Sequence, residues 1–597
     1  MTQTQDPAAR DDFTGPQGEA ELNLAACDRE PIRAPGAIQP HGVLLVLHAR
    51  DLVIVQASAN TLQLIGQDTQ SLLGAPVSTF LGTAQAAAIS RQVDRLKARG
   101  EERGDMPLRF TLAVNGSGRL FNARVFRDAL AGVVLLELEP ASTHDALSLY
   151  GFHTLVRQTL ERIRNATTVD LLAQAIAEQM RMLTGYDRVW VYRFHPDWHG
   201  EIIAESCRAG TESWLGLHYP ASDIPGQARA LFLEHPLRVI ADVDYEPVPL
   251  VPAMNPVSAL PLDLGGAVLR AVSPVHLQYM RNMGVRASLV ISIVRDGVLW
   301  GLLSGHHYAT PKTLPYELHT VCEFLGQAFA LQLTGTEGAE DRDRMLRTRS
   351  VEGRLVELLA QRTAAEALTA SDVTMLELIP SDGAAIVGAN GVARVGSLPD
   401  DAFLGDLVDW LERSAPADGP SARSFDALAG VFAPAQACTP TCSGLLAVRV
   451  SSAGVDEGSA CCWLLWFRGE RAQSLRWAGN PEDKPVRRDT DGSVRLSPRG
   501  SFAVWEQEVR GTSRAWTTAD RESAEALSRV VHLAPEGLWV GPATEARRLK
   551  DVVDDLRSRM TAAASNVPSD VQFGFDVLSL RVDALIAMLS EPPGVID

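Results

Sequence analysis

Cysteine is scarce in this chain: seven in 597 residues, an odd number spread over its whole length. No disulfide framework is therefore expected, and a reduced, cytoplasmic setting is the default. No uninterrupted apolar run approaches a membrane span, and residues 1–20 are polar, without an apolar signal region, so no membrane role is expected. Basic side chains are also in deficit, 55 Lys and Arg against 73 Asp and Glu, for a net charge of −18. With no dense Lys/Arg stripe to offset that charge, nucleic acid is an unfavoured partner. What remains is an ordinary globular composition, 46% hydrophobic and 21% charged. The length is too great for one core, and three or four domains are expected.

The chain is organised around residues 220–232. Asp223 sits between Pro220 and Pro225, and Ser222 reads as a helix-capping residue with a short helix from Gln227 to Phe232. A carboxylate held in so rigid a segment loses entropy and solvation, which points to something it binds; a surface turn with a capping Asp is the other reading. Downstream come Arg238, Arg270, Ser273, His276, Tyr279, Ser288 and the pair His306–His307. His276 and Tyr279, three apart, share one helix face. Two arginines, histidines, tyrosines and one aspartate combine anion-binding groups, proton donors and aromatic walls. That mixture suits a large, flat, acidic organic ligand better than a metal or a nucleotide.

This segment resembles the chromophore pocket of the phytochromes. Cys27, in a polar setting beside Asp28, Arg29 and Glu30, makes the resemblance specifically one to the bacteriophytochromes. Read alone, Cys27 is either a small buried apolar residue or an exposed reactive thiol. The resemblance spans roughly residues 22–520 and implies that Cys27 carries biliverdin IXα through a thioether. Plant-type members attach their bilin beside the ring-stacking histidine, where this chain has Val275. The implied fold class is α+β, a multidomain PAS-GAF-PHY chain with antiparallel sheets flanked by helices, long connecting helices, and a figure-of-eight knot between N-terminal segment and GAF domain.

Taken in order, residues 1–21 read as a disordered lead. Residues 22–140 form the expected PAS domain, with strands over 43–47, 52–55, 119–125 and 132–138 and a helix over 84–98. The GAF domain is expected over 148–335. It comprises a long helix over 148–182, strands over 188–194, 201–206, 287–295 and 299–307, an irregular proline-rich section over 241–265, and a closing helix over 316–333. A joining helix over 338–370 leads into the PHY domain, 338–532, whose tongue covers about 466–516. Cys438, Cys442, Cys461 and Cys462 raise the question of zinc, but adjacent strand residues point to opposite faces, and no metal site is expected. Residues 533–597 read as a helical segment with apolar positions suited to packing on a second helix. They leave no room for a nucleotide-binding domain and offer no phosphoacceptor histidine, so no catalytic output is expected.

By resemblance, Arg238 and Arg270 would bind the two bilin propionates, helped by Ser273 and Ser288. Asp223, chiefly through its carbonyl, would hold the pyrrole nitrogens together with His276; Ile224 and Pro225 flank it. His306 would bond the outer ring, which turns in a space lined by Tyr192, Tyr219 and Tyr279. Two departures are Phe232, where many relatives have a tyrosine, and Val290, where some have a propionate-facing serine. In the tongue, Trp477, Pro498, Arg499, Ser501 and Phe502 match the family's signalling motif, although Ala478 stands where a glycine is usual. The implied function is a red/far-red photoreceptor, a homodimer signalling to a separate protein. The competing readings are a light-independent PAS/GAF sensor of small molecules or redox change, and a scaffold whose pocket has decayed.

Overall fold

The computed structural model describes residues 30–101, 108–114, 117–141, 149–388, 391–414, 422–450, 462–471, 473–481, 486–488, 494–496 and 498–532. Cys27, Cys461 and the expected C-terminal helices lie outside the described residues. Two compact units emerge, Met1–Glu340 with Leu475–Gln507, and Asp341–Ser474 with Glu508–Asp597. Each is described by itself.

The first unit begins with a seven-stranded sheet in which Val43–His48 pairs with Ile54–Ser58 and Val133–Pro140. Alternation along Leu108–Val114 buries Phe110, Leu112 and Val114. The helix Thr83–Arg99 covers this face with Ile89, Val93 and Leu96, spaced four and three apart as one helical face requires. The second strand starts later than the expected 52–55. Leu52 turns at φ 55° and Asp51 Oδ1 accepts from Val53 N at 3.2 Å, so the turn consumes those residues.

A second sheet of eight strands contains Leu237–Ile240, Ala287–Arg295, Val298–His307, Arg188–Phe194, Gly200–Cys207 and Leu217–Tyr219, followed by Gln473–Ala478 and Val504–Val509 from the tongue. The helix expected over 148–182 is two helices, Leu149–Arg164 and Val169–Thr184. Thr168 interrupts it in extended conformation, its hydroxyl accepting from Leu171 N at 3.3 Å as an N-cap. The irregular section 241–265 contributes one strand, Val248–Val251, which lies in the other sheet between Ala37–Ile38 and Ile54–Ser58. Around it, Leu264 N donates to Arg33 O, Gln39 N to Leu269 O, and Gln39 Nε2 to Val239 O, at 2.7, 2.7 and 2.9 Å. This interlacing of the N-terminal segment with the second domain is consistent with the expected knot.

The closing and joining helices are one element, Tyr316–Leu359. Glycine inside a helix costs only about 1 kcal/mol relative to alanine, so Gly335 and Gly338 do not break it. The next helix, Ala364–Thr369, starts at a capping box between Thr363 and Glu366. In the second unit a five-stranded sheet carries cores on both faces. Leu464 and Trp466 of strand Cys462–Arg468 enter one core, and Trp463, Leu465 and Phe467 enter the other. Both indoles are satisfied, Trp463 by Glu412 at 2.6 Å and Trp466 by Met375 O at 2.9 Å. Cys442 and Cys462 belong to these opposite cores.

Candidate functional site: a cationic, apolar-walled cavity

The two-proline turn forms a single 3-10 turn, Ala221–Asp223, with Asp223 N bonded to Pro220 O at 3.0 Å. The helix behind it is Gly226–Glu234, begun at Pro225 without a side-chain cap. Ser222 therefore is not the expected cap: it lies within the 3-10 turn, and Pro225 occupies the capping position. Arg229 returns from that helix to donate to Ile224 O at 2.6 Å, bracing the turn from its own C-terminal side. The Asp223 carboxylate then accepts two bonds, from Tyr279 Oη at 2.9 Å and from Arg499 Nη2 at 3.1 Å.

Tyr279 is delivered by the helix Pro274–Asn282. Ser273 caps it, accepting from Val275 N at 3.1 Å, and Pro274 supplies the preset φ of the first turn. One turn back along the same face, the His276 ring stacks on Tyr279 at 6.0 Å and 10°. The single proton of Ser273 Oγ goes to Glu30 Oε1. Ser288 and His306 face each other across neighbouring strands, and Arg238 pairs with Val290 in the same sheet. Gly200 leaves room for Tyr192: a Cβ there would lie 1.9 Å from the tyrosine ring.

These elements surround a cavity of about 330 Å³. Tyr192, Tyr219, Asp223, Ile224, Pro225, Phe232, Arg238, Arg270, Ser273, His276, Tyr279, Ser288, Val290 and His306 all line it, with Pro498 and Arg499 from the tongue. Phe502 closes the wall from behind, edge-on to Tyr279 at 5.0 Å. Ser501 is exposed, its Oγ accepting from Ala503 N at 3.3 Å. Trp477 lies away from the cavity, bonded to Gln507 at 2.8 Å. Sequence reasoning missed Glu30 and Ile32, which line the cavity, and Trp190, whose indole meets His306 edge-on at 4.3 Å. A polar N-terminal segment and a strand tryptophan carry no local mark of a shared site.

The electrostatics are unusual for a cavity walled largely by apolar groups. Arg238 spends its guanidinium on the Arg270 and Val268 carbonyls, at 2.8 and 3.5 Å. Burial lowers its pKa to about 10. Arg270 is lowered to about 8, by burial and then by the charge of Arg238. Among the described residues neither has a carboxylate at ion-pair distance. His276 falls to about 4, through burial and then Arg238, and so is neutral near pH 7. His306 is held well below the usual imidazole range by burial, with Arg188 and His276 adding to it. Buried Arg270 Nη1, Ser288 Oγ, His306 Nδ1 and Tyr192 Oη have no hydrogen-bond partner among the described residues.

Two buried cations without anions and four orphaned polar atoms are costly in a folded chain. A ligand with two carboxylates, conjugated apolar rings and a peripheral carbonyl satisfies that set, so the residues present fit a bilin. Such a ligand would also fill the apolar walls.

Comparison with known proteins agrees. Three family models match: the PAS fold over residues 27–141, the GAF domain over 168–335, and the phytochrome region over 348–534. A bacteriophytochrome of Xanthomonas campestris is 37% identical over 530 residues, covering 86% of this chain and 79% of that protein. One from Pseudomonas aeruginosa is 36% identical, covering 92% of this chain and 73% of its own length. The chain spans 66% of cyanobacterial phytochrome B of Nostoc, to which it is 37% identical, less than two thirds of that relative. Among solved structures, a bacteriophytochrome from the photosynthetic bacterium R. palustris superposes with a TM-score of 0.73 at 36% identity, covering 86% of this chain and 100% of that one. The photosensory core module of a Stigmatella aurantiaca phytochrome gives 0.68 at 37% identity, covering 85% and 98%. On this combination of domains, relatives and pocket, the chain belongs to the bacteriophytochromes, phytochrome photoreceptors of PAS, GAF and PHY domains.

Proposed function

We propose that the chain is a red/far-red photoreceptor that binds biliverdin IXα in the cavity and switches reversibly between two states. The observation that carries this reading is the pair of buried guanidiniums, Arg238 and Arg270, with no carboxylate at ion-pair distance among the described residues. Bound there, a bilin supplies the conjugated light-absorbing system. The chain's residues do the rest. Arg238 and Arg270 hold the two propionates, with Ser288 and, when released from Glu30, Ser273 as further donors. Neutral His276 and the Asp223 carbonyl accept from the pyrrole N–H groups, and His306 hydrogen-bonds the outer carbonyl. Tyr192, Tyr219 and Tyr279 bound the space in which the outer ring turns, and Phe232 and Val290 leave it with fewer hydroxyls than many relatives have.

Cys27 is the attachment site in this reading. Its thiol adds across a vinyl double bond: the S–C bond forms at one carbon and the proton passes to the other, with nothing released. Support comes from Glu30 and Ile32, which line the cavity. Glu30 follows Cys27 by three residues in the sequence. Signalling rests on the Arg499–Asp223 contact. In the second state Ser501 takes Arg499's place as the tongue passes from hairpin toward helix, a two-state element of the kind allostery requires.

The domain boundaries follow as 22–140, 148–335 and 338–532, supported by the family matches. The sensory domains act as a homodimer in the cytoplasm and pass their state to a separate protein, without catalysis by this chain. Among the described residues no helix is long and apolar enough to cross a membrane. The deciding experiment is assembly of the purified chain with biliverdin, followed by alternating red and far-red light. A coloured product with reversible spectral change supports the proposal; a colourless or photochemically inert one favours a light-independent PAS/GAF sensor. Light scattering and incubation with labelled ATP test the dimer and the absence of autophosphorylation.

A further inference from the structure

Outside the cavity, three histidines converge. His195 and His199 sit at the two ends of the turn joining Arg188–Phe194 to Gly200–Cys207, closed by His195 N bonding to His199 O at 2.8 Å. Their rings stack at 4.2 Å and 7°. His218 comes from strand Leu217–Tyr219, and one ring nitrogen from each of the three lies within 4.8 Å of the others. His218 is only 8% exposed, and its Nδ1 has no hydrogen-bond partner among the described residues. Two carboxylates stand behind: Asp197 Oδ1 is 2.5 Å from His199 Nδ1, and Glu201 Oε2 is 3.3 Å from His195 Nε2.

We infer that His195, His199 and His218 form a binding site for a divalent transition metal of the zinc class, with an open fourth position. Three imidazoles brought together from a turn and a neighbouring strand supply the nitrogen donors such an ion takes. Zinc–nitrogen bonds of about 2.0–2.1 Å place tetrahedral ligand nitrogens roughly 3.4 Å apart. The present arrangement therefore needs the stacked His195 and His199 rings to turn out of their parallel planes as the nitrogens close in, a rotamer change open to two partly exposed side chains. Each of these has one ring nitrogen beside a carboxylate, the kind of contact that orients a metal-binding imidazole and raises its basicity. An all-nitrogen donor set selects zinc, cobalt or copper over magnesium or calcium.

The site's position gives it a consequence. Strand Gln473–Ala478 of the tongue runs parallel to Leu217–Tyr219, with Trp477 opposite His218, and the Trp477 ring lies 5.7 Å from His218 and 5.8 Å from His199. A bound metal cross-links the 195–199 turn to the strand on which the tongue rests. Metal would then favour the hairpin form of the tongue; this consequence, unlike the site itself, rests on the photoreceptor reading.

Cobalt(II) is the probe for the site. It is added to the full-length, bilin-free chain after removal of any affinity tag, with zinc(II) as competitor. One equivalent should bind with the visible bands of tetrahedral nitrogen coordination, without thiolate charge-transfer absorption, and be displaced by one equivalent of zinc. His199→Ala and His195→Gln should each weaken binding at least roughly tenfold, and Asp197→Asn by a smaller factor. No binding by the wild type, thiolate bands, or unchanged affinity in both histidine variants would overturn the site. Both variants alter partly exposed turn positions, and circular dichroism checks their folding. In biliverdin-assembled protein, zinc should slow photoconversion in the wild type and not in His199→Ala. Binding without that kinetic effect leaves the site standing and removes its link to the tongue.

Discussion

Arg499 and Asp223 meet at 3.1 Å across 276 positions of sequence, with 6% and 10% of their side chains exposed. The arginine also donates to Ala478 O and Gly479 O, and its own carbonyl accepts from Asn282 at 2.8 Å. One guanidinium thus joins the two-proline turn, the base of the tongue and the distal motif of the tongue. Removing it deprives a buried carboxylate of its cationic partner, a loss of up to roughly 3–5 kcal/mol if the site stayed closed. Opening the hairpin to water relieves that cost. Arg499→Ala should therefore shift the tongue away from the hairpin, seen as faster amide exchange over 475–507, while exchange in strand Ala287–Arg295 stays unchanged. Equal exchange in both segments relative to wild type would refute it.

Gly479 is the second control on this contact. Its φ is 85°, and a Cβ would lie 2.4 Å from Ser501 O and 3.1 Å from Arg499 Cδ. Gly479→Ala should destabilise the hairpin by about 1–2 kcal/mol from backbone strain alone. The same exchange measurement applies, and Gly500→Ala, where added bulk meets nothing within 4 Å, is the control.

Arg270 separates folding from function. It is buried, lacks an ion-pair partner among the described residues and is held down to about 8. Arg270→Leu should raise the denaturation midpoint of the bilin-free chain, by roughly 1–4 kcal/mol on the precedent of buried charges replaced by hydrophobic groups. The same change should slow biliverdin assembly at least tenfold. A loss of stability without bilin would show that the cation has a structural partner.

His276 makes stability depend on pH. Its pKa falls from an ordinary 6.5 to about 4 in the folded chain, through burial and then Arg238. The folded state thus binds fewer protons than the unfolded one between those values. The stability due to neutral His276 is complete above about pH 6.5 and is lost as pH falls toward 4. His276→Gln should flatten denaturant midpoints across that window. In assembled protein, His276→Leu or Asp223→Leu should lower the apparent pKa of the pigment toward neutrality, since a buried protonated bilin loses its compensating groups. An unchanged absorbance titration in both would count against their role.

Cys27→Ser should abolish the zinc-fluorescent band that survives denaturing electrophoresis of biliverdin-assembled protein. Non-covalent binding should persist, because the cavity's cations and aromatic walls lie elsewhere. Retention of the band would move the attachment to another cysteine.

Much of the fold was legible in the sequence because its causes are local. Short apolar runs bounded by turns mark Val43–His48, Ala287–Arg295 and Val298–His307; in Val43–His48 successive side chains enter opposite cores, Val43, Leu45 and Leu47 one and Leu44 and Val46 the other. The two-proline turn announces a rigid Asp223, and residues 220–307 hold most of the cavity wall, so one stretch of sequence nearly exposes the site. Errors arose where two local signals compete, as at Thr168, whose capping hydroxyl divides an apolar pattern that otherwise runs on. The helices expected over 316–333 and from 338 are one, because Gly335 and Gly338 leave its hydrogen bonding intact.

Only the tertiary structure decided the rest. Nothing near Val248–Val251 shows that it joins the sheet of another domain, because backbone hydrogen bonds carry no sequence information and a strand takes whichever partners the topology delivers. The metal-ligating geometry of His195, His199 and His218 depends on a strand returning beside its own hairpin turn. That Asp223 meets Arg499 is likewise decided by the fold, since 276 positions of sequence separate the two residues.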